Sequence, residues 1–427
     1  MIKKLFNFLK QKFLSEILLK LNEMENSLEE INFILKNPED RNIFKKFSIK
    51  IIRPVFIIQS FEFWNSLEPI IKKMAESSEF DPIILLIPSR YSEHEEYLYR
   101  VKENNFKELK IPIFIYDELI KINTDCLELL SPDIVFRQAP WEHLVPENVM
   151  TKNLMKYKLC YVPYGSPMTN VGAVFFNQPL HNYAWRIYND IEFHYANYSL
   201  YNLTKSINVK TVGDTKLESI YNKLETKYNT YNFKMNEKLK LLWCPHHSMD
   251  NWLGFCTFHK NYNDIYDFAA KNQDIDIIFR PHPAMKTAIL VNDKMSENEY
   301  NQFFDKFLKL ENVRLDYDSD YIDLFEESSL LVSDGIAFLV DYLMTGKPII
   351  YFDSQCSVGF NDYYTEFHSC WYKVISVNEV EERIKCIKLG NDELKSERMT
   401  YAKILFDSTG DLPSDLIIRD LLDGLKL

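Results

Sequence analysis

The chain has 427 residues, 46% of them apolar, a formal charge of −12 and a mean hydropathy of −0.27. That length predicts two globular domains rather than one core, and the acidic balance excludes a broad nucleic-acid surface, which needs clustered Lys and Arg. Seven cysteines without CxxC pairs suit reduced thiols in the cytoplasm better than disulfides or structural zinc, and neither a run of about 18 uncharged apolar residues nor a signal-peptide pattern is present.

Residues 1–36 predict one long helix. Lys3, Lys4, Lys10, Lys12 and Lys20 stand among Leu5, Phe6, Leu9, Phe13 and Leu14, a basic amphipathic face suited to peripheral contact with an anionic membrane. From Leu14 the apolar positions Ile17, Leu21, Met24, Leu28, Ile31 and Leu35 alternate spacings of three and four. That stripe fits a short coiled coil, hence a homo-oligomer, and also a helix packed along its own domain. Asn37–Lys46, with Pro38, reads as a linker. The domain boundaries drawn are 1–47 for this extension, 48–236 for a first α/β domain and 237–427 for a second.

In the first domain, strands are predicted at Val55–Gln59, Ile83–Ile87, Ile113–Tyr116, Ile134–Arg137 and Leu159–Val162, with a last short one at Val209–Gly213. Helical stretches at Trp64–Glu76 and Glu93–Glu103 separate them, so the sheet is parallel and its strand ends share one edge. That edge carries Gln59-Ser60-Phe61-Glu62, Pro88-Ser89-Arg90, Arg137-Gln138 and Pro163-Tyr164-Gly165-Ser166. The aromatic segment His181–Tyr201, with Trp185, Arg186 and His194, reads as core packing. Lys216–Tyr231 reads as a connecting helix.

The second domain repeats the alternation. Strands are expected at Leu239–Cys244, Ile275–Arg280, Val313–Leu315, Leu330–Ser333, Ile349–Phe352 and Lys373–Ile375, with helices at Tyr262–Lys271, Glu297–Lys309, Tyr321–Glu327 and Ala337–Thr345. Two strands end in Cys244-Pro245-His246-His247-Ser248 and Arg280-Pro281-His282-Pro283, which brings Arg280 as a cation and His246, His247 and His282 as donors to one edge. A third ends at Ser333-Asp334-Gly335. Ser333-Asp334 stands where an N-cap belongs, and the free amides after Gly335 suit phosphate. A zinc site from His246, His247, His259 and His282 is the competing use, disfavoured because adjacent histidines point to different faces and no carboxylate supports them. For a proton acceptor the candidates are Glu62, Glu142 and His143, with Tyr164 weaker because a phenol is a poor base at neutral pH.

At these motifs the chain resembles the CDP-glycerol glycerophosphotransferase family of teichoic-acid and capsule polymerases, over roughly Ser48–Ile387. Arg280-Pro281-His282-Pro283 is similar to the family's R/K-P-H-P, whose histidine contacts the donor pyrophosphate. Ser333-Asp334 with Phe338, Asp341 and Lys347-Pro348 is similar to its (T/S)D-containing segment, and Gly213-Asp214-Thr215-Lys216 to its G-x-P-K/R turn. Trp64-Asn65-Ser66-Leu67-Glu68-Pro69 with His246-His247-Ser248 looks like a subgroup found with bacterial surface-polysaccharide enzymes. Two positions depart: Ile336 and Ala337 replace a serine pair, and the acceptor-side W-H-G-T appears as Pro163-Tyr164-Gly165-Ser166.

The resemblance implies a GT-B-like α/β protein with two Rossmann-type domains facing a central cleft. It implies transfer of a CDP-activated alcohol phosphate, glycerol phosphate first, onto a saccharide or polyol-phosphate acceptor. Catalytic candidates are His282, His247, His246 and Glu62; Arg280, Ser248, Ser333, Asp334, Gly335 and Asp341 are expected to bind donor phosphate, and Arg137, Tyr164, Gly165 and Ser166 to face the acceptor. No cofactor or metal is called for. Sugar transfer from a nucleotide-sugar is the alternative on the same fold, and a non-catalytic scaffold organised by the coiled coil is a third reading.

Overall fold

The computed structural model describes residues 51–59, 61–88, 109–224, 238–250, 252–317, 321–406 and 410–425. The N-terminal helix with its coiled-coil and membrane readings, Ser60, Ser89, Arg90, the helix Glu93–Glu103 and the side chain of Glu62 lie outside the described residues.

From Ile52 onward the chain forms one compact unit containing two parallel sheets. The first orders its strands β3-β2-β1-β4-β5-β6-β7, with β1 at Pro54–Ile58, β2 at Ile83–Leu86, β3 at Ile113–Ile115, β4 at Ile134–Arg137, β5 at Lys158–Tyr161, β6 at Arg186–Asn189 and β7 at Val209–Thr211. The second orders them β10-β9-β8-β11-β12-β13, with β8 at Leu239–Cys244, β9 at Ile275–Phe279, β10 at Val313–Leu315, β11 at Leu330–Ser333, β12 at Ile349–Phe352 and β13 at Tyr372–Val374.

The inner strands of both sheets read as nearly continuous apolar runs because both faces are covered. Phe56, Ile84 and Phe136 pack into one layer of the first sheet and Val55, Leu85 and Val135 into the other. In the second sheet Leu241, Ile277 and Val332 face one side while Leu242, Ile278 and Leu331 face the other. In each sheet the order reverses once, between β1 and β4 and between β8 and β11. Ligands of such sheets sit outside the carboxyl ends at that reversal.

Three comparisons with the sequence reading bear on the site. The segment read only as aromatic packing contains β6, between β5 and β7, followed by helix α1 at Glu192–Tyr201. Its aromatic residues do pack, with Tyr198 edge-on to Phe176. The connecting helix is described as α2, Thr215–Lys223. And the tail from Asn391, read as helical and free to cross back onto the first domain, does cross back with its last helix. Pro413–Leu425 sends Ile417 and Leu421 into the first sheet's core, and Asp420 meets Arg186 Nε at 2.8 Å.

The carboxyl edges of the two sheets meet. Thr169, in the loop after β5, bridges to Phe360 in the loop after β12, and the Asn361 amide donates to the Met168 carbonyl at 2.8 Å.

Candidate functional site

The reversal of the second sheet carries the convergence expected from sequence. Pro245-His246-His247 follows β8, Pro281-His282 follows β9, and β11 leads into helix α3 at Ile336–Leu343. The imidazole centroids of His246 and His247 are 4.4 Å apart, those of His247 and His282 3.9 Å, and those of His246 and His282 5.6 Å.

Local hydrogen bonds fix how two of these rings present their protons. His282 Nδ1 accepts the Ala284 amide at 3.0 Å. His246 Nδ1 accepts the Ser248 amide at 3.2 Å and lies 2.8 Å from Ser248 Oγ, which itself accepts the Phe255 amide. With Nδ1 accepting, the neutral ring carries its proton on Nε2 and offers a donor there. His247 Nδ1 is buried without a hydrogen-bond partner among the described residues. Burial pushes the His246 and His282 imidazoles well below the usual histidine range, with His247 adding to both, and burial lowers His247 to about 4. The trio is therefore neutral at physiological pH and acts through N–H groups.

These rings stand at the start of α3. Gly335 is its N-cap, and no side chain caps the helix, so the first-turn amides remain free for an anion. A Cβ on Gly335 would sit 3.3 Å from His246 Cδ2, which places the Cδ2–Nε2 edge of His246 against the helix opening. Histidine donors and helix amides thus address the same space.

Several residues expected to bind phosphate instead build this corner. Ser333-Asp334 is not the N-cap: Ser333 Oγ accepts the Gly335 amide at 2.9 Å and donates to the Cys244 carbonyl at 2.8 Å. Asp334 is buried and accepts from the His246 amide at 2.5 Å, the Thr257 amide at 2.6 Å and Thr257 Oγ1 at 2.8 Å. Burial raises its carboxyl to about 6 against those bonds. Its charge fastens the histidine loop to the end of β11, where a carboxylate would repel phosphate if free. Asp341 is buried against Lys216 Nζ at 2.5 Å and Tyr321 OH at 3.2 Å, tying α3 to α2. Ser248 orients His246. Arg280 is paired with Asp316, because a buried guanidinium needs a counter-charge; it supplies a positive field behind His282 rather than a free cation.

On the first sheet, Arg137 ends β4 with its side chain buried against the following loop, bonded to Glu142 Oε1 and the Ala139 carbonyl, each at 2.9 Å. Glu142 also accepts from Thr151 N and Oγ1, so neither faces an acceptor and Glu142 is committed elsewhere. His143 is exposed in that loop. Tyr164 accepts from Trp141 Nε1 at 3.2 Å and stacks on Phe63. Gly165 lines a narrow cavity with Asp190, Gly213, Asp214 and Thr215, and Ser166 donates to Asp190. Asp190 and Asp214 are the residues the sequence reading missed as site candidates. Asp190 stands directly after the overlooked β6, and recognising Arg186–Asn189 as a strand would have exposed it. Asn65 and Glu68, from the tryptophan-led motif, hold Ser219 and Lys223 of α2 and have a packing role.

No family model and no curated protein matches the sequence. Solved structures match in fold. The UDP-GlcNAc 2-epimerase from Neisseria meningitidis bound to UDP-GlcNAc aligns with a TM-score of 0.58 at 15% identity, over 87% of this chain and 99% of its own. The S. aureus MnaA–UDP structure aligns with a TM-score of 0.57 at 12% identity, over 88% and 97%. The UDP-N-acetylglucosamine 2-epimerase from Rickettsia bellii gives 0.55 at 12%, over 87% and 96%. The architecture is the GT-B type expected, two Rossmann-like domains on parallel sheets. The resemblance to the CDP-glycerol family gains no support from these comparisons.

Proposed function

We propose that this protein is a glycosyltransferase-class enzyme that binds a nucleoside-diphosphate sugar at the second sheet and passes the sugar to a hydroxyl presented from the first. The observation that carries this reading is the convergence of His246, His247 and His282 on the uncapped, glycine-led start of α3 at the sheet's reversal. A diphosphate presents several acceptor oxygens and, as a leaving group, gains charge; fixed N–H donors stabilise that charge as it develops. UDP-GlcNAc and UDP occupy neighbours of this fold, which favours a nucleotide-sugar over the CDP-alcohol first expected. On this reading protein N–H groups do the charge work, and the enzyme acts in the cytoplasm, where activated donors are made. Among the described residues no helix is long and apolar enough to cross a membrane.

Transfer of a CDP-activated alcohol phosphate in surface-polymer synthesis is the second reading, favoured by Arg280-Pro281-His282-Pro283 with His282 in the trio. The separating experiment incubates the protein with UDP-, GDP- and CMP-sugars and CDP-glycerol, with and without saccharide acceptors, and follows nucleotide release. Acceptor-dependent release from a nucleoside-diphosphate sugar is expected. Consumption of CDP-glycerol alone would establish the second reading, conversion of the donor sugar without nucleotide release would replace transfer by isomerisation, and absence of any nucleotide binding would leave the scaffold.

A further inference from the structure

The cavity on the first sheet's edge is walled by two carboxylates in opposite circumstances. Asp190 is fully engaged: it accepts from Ser166 Oγ, from the Ile191 amide at 2.9 Å and from His194 Nδ1 at 2.6 Å. His194 is buried, and its Nε2 lies 3.0 Å from the Pro167 carbonyl, so the ring faces an oxygen acceptor on both sides. Burial opposes the Asp190 charge, but His194, Ser166 and the Ile191 amide outweigh it and hold its carboxyl below the ordinary range. Asp190 is the anion of this wall.

Asp214 lines the same cavity from the turn that opens α2. Its Oδ1 accepts the Lys216 and Leu217 amides at 2.8 and 3.3 Å, and its other oxygen makes no hydrogen bond among the described residues. Burial, and then the negative charge of Asp190, push it up to about 7, with Lys216 opposing and Asp341 reinforcing the shift. From the second sheet's side Tyr364 lies beside Ser166. It is fully buried, and its hydroxyl finds no partner within bonding geometry among the described residues. Ser166, its neighbour, is already committed to Asp190. Gly165 leaves open space where a side chain would stand.

We infer that Asp214 is the proton acceptor for the incoming hydroxyl, seated between Gly165 and Gly213. The inference rests on the sugar-transfer reading above. As the acceptor oxygen bonds to the anomeric carbon, the bond from that carbon to the diphosphate oxygen breaks and its electron pair leaves with the diphosphate at the histidine corner. The hydroxyl proton passes to Asp214 Oδ2 and then to water. A fixed anion beside a carboxyl that ionises near neutrality is the division of labour that general base catalysis needs. The Lys216–Asp341 pair links this turn to α3, so both halves of the reaction share one rigid connection.

Two measurements test this. Asp214→Asn keeps an oxygen to cap α2, so the variant should fold and bind the nucleotide as the native protein does, while kcat/KM for the acceptor falls about 10²- to 10⁴-fold and the acid limb of its pH profile, centred near 7 in the native enzyme, disappears. Retained turnover with an unchanged profile would overturn the assignment. Infrared difference spectra of the protein without substrate, native against Asp214→Asn, provide a readout independent of activity. A carboxylic-acid band that titrates near 7 is expected, and one already ionised below about pH 5 would overturn it. Absence of nucleotide consumption in every donor assay, with that band present, would fail the transfer reading and leave the ionisation of Asp214 standing.

Discussion

His247 and His282 lie nearly face to face, ring centroids 3.9 Å apart and tilted by 30°. Two cations could not share that geometry away from water, and burial keeps both rings neutral. The unfolded chain therefore binds protons that the folded site refuses. His247 falls from 6.5 to about 4, so its contribution is lost as pH drops from about 6.5 towards 4. The native melting temperature should fall across that window more steeply than that of a His247→Asn variant. Because these rings bind as neutral N–H donors, affinity for a nucleoside-diphosphate sugar should change little as pH falls from 8 to 6.5, measured by calorimetry in buffers of differing ionisation heat. Uptake of a proton on binding would contradict this.

Asp334 fastens the histidine loop through three donors. Replacing it by Ala strands them in a buried corner, which should cost on the order of 3 kcal/mol in chemical denaturation and weaken nucleotide binding as the loop loosens. A loss within about 0.5 kcal/mol, typical of surface substitutions, would show that Asp334 is not the clamp.

Lys216 and Asp341 form a buried pair between α2 and α3. Removing one partner leaves an uncompensated charge, so Lys216→Met or Asp341→Leu alone should cost about 3–5 kcal/mol. The double variant should cost less than either single change, and a double-mutant cycle measures the coupling. Additive losses would mean that the two residues act independently.

Gly335 is needed for approach rather than for backbone freedom, since its φ of −85° suits any residue. Ala would ask His246 and Ser333 to yield by a few tenths of an ångström; Val would push His246 off the helix opening. Nucleotide affinity should fall about tenfold or more for Gly335→Val with the melting temperature little changed. Undiminished binding would place the anion elsewhere.

The second sheet was legible because its inner strands β8, β9, β11 and β12 are largely buried apolar runs bounded by a proline, serine or aspartate. Its histidine corner followed from the rule that such ends share an edge. What escaped was set by distant contacts. Asp334 looks like a cap in sequence, but the Thr257 and His246 amides, 77 and 88 residues away, win its carboxylate. Asp341 and Arg280 read as phosphate ligands until Lys216 and Asp316 are seen beside them. β6 was hidden because Arg186-Ile187-Tyr188-Asn189 is short and half polar, and with it went Asp190.

The central claim is that a nucleoside diphosphate binds where His246, His247 and His282 meet α3. Calorimetric titration of UDP, GDP and CDP into the native protein and into His282→Ala and His247→Ala tests it most directly. At least one nucleotide should bind the native protein, with affinity falling about 10- to 100-fold in each variant, as expected for losing a hydrogen bond to a charged group. Equal affinity in the folded variants, or no binding to the native protein, would contradict the claim.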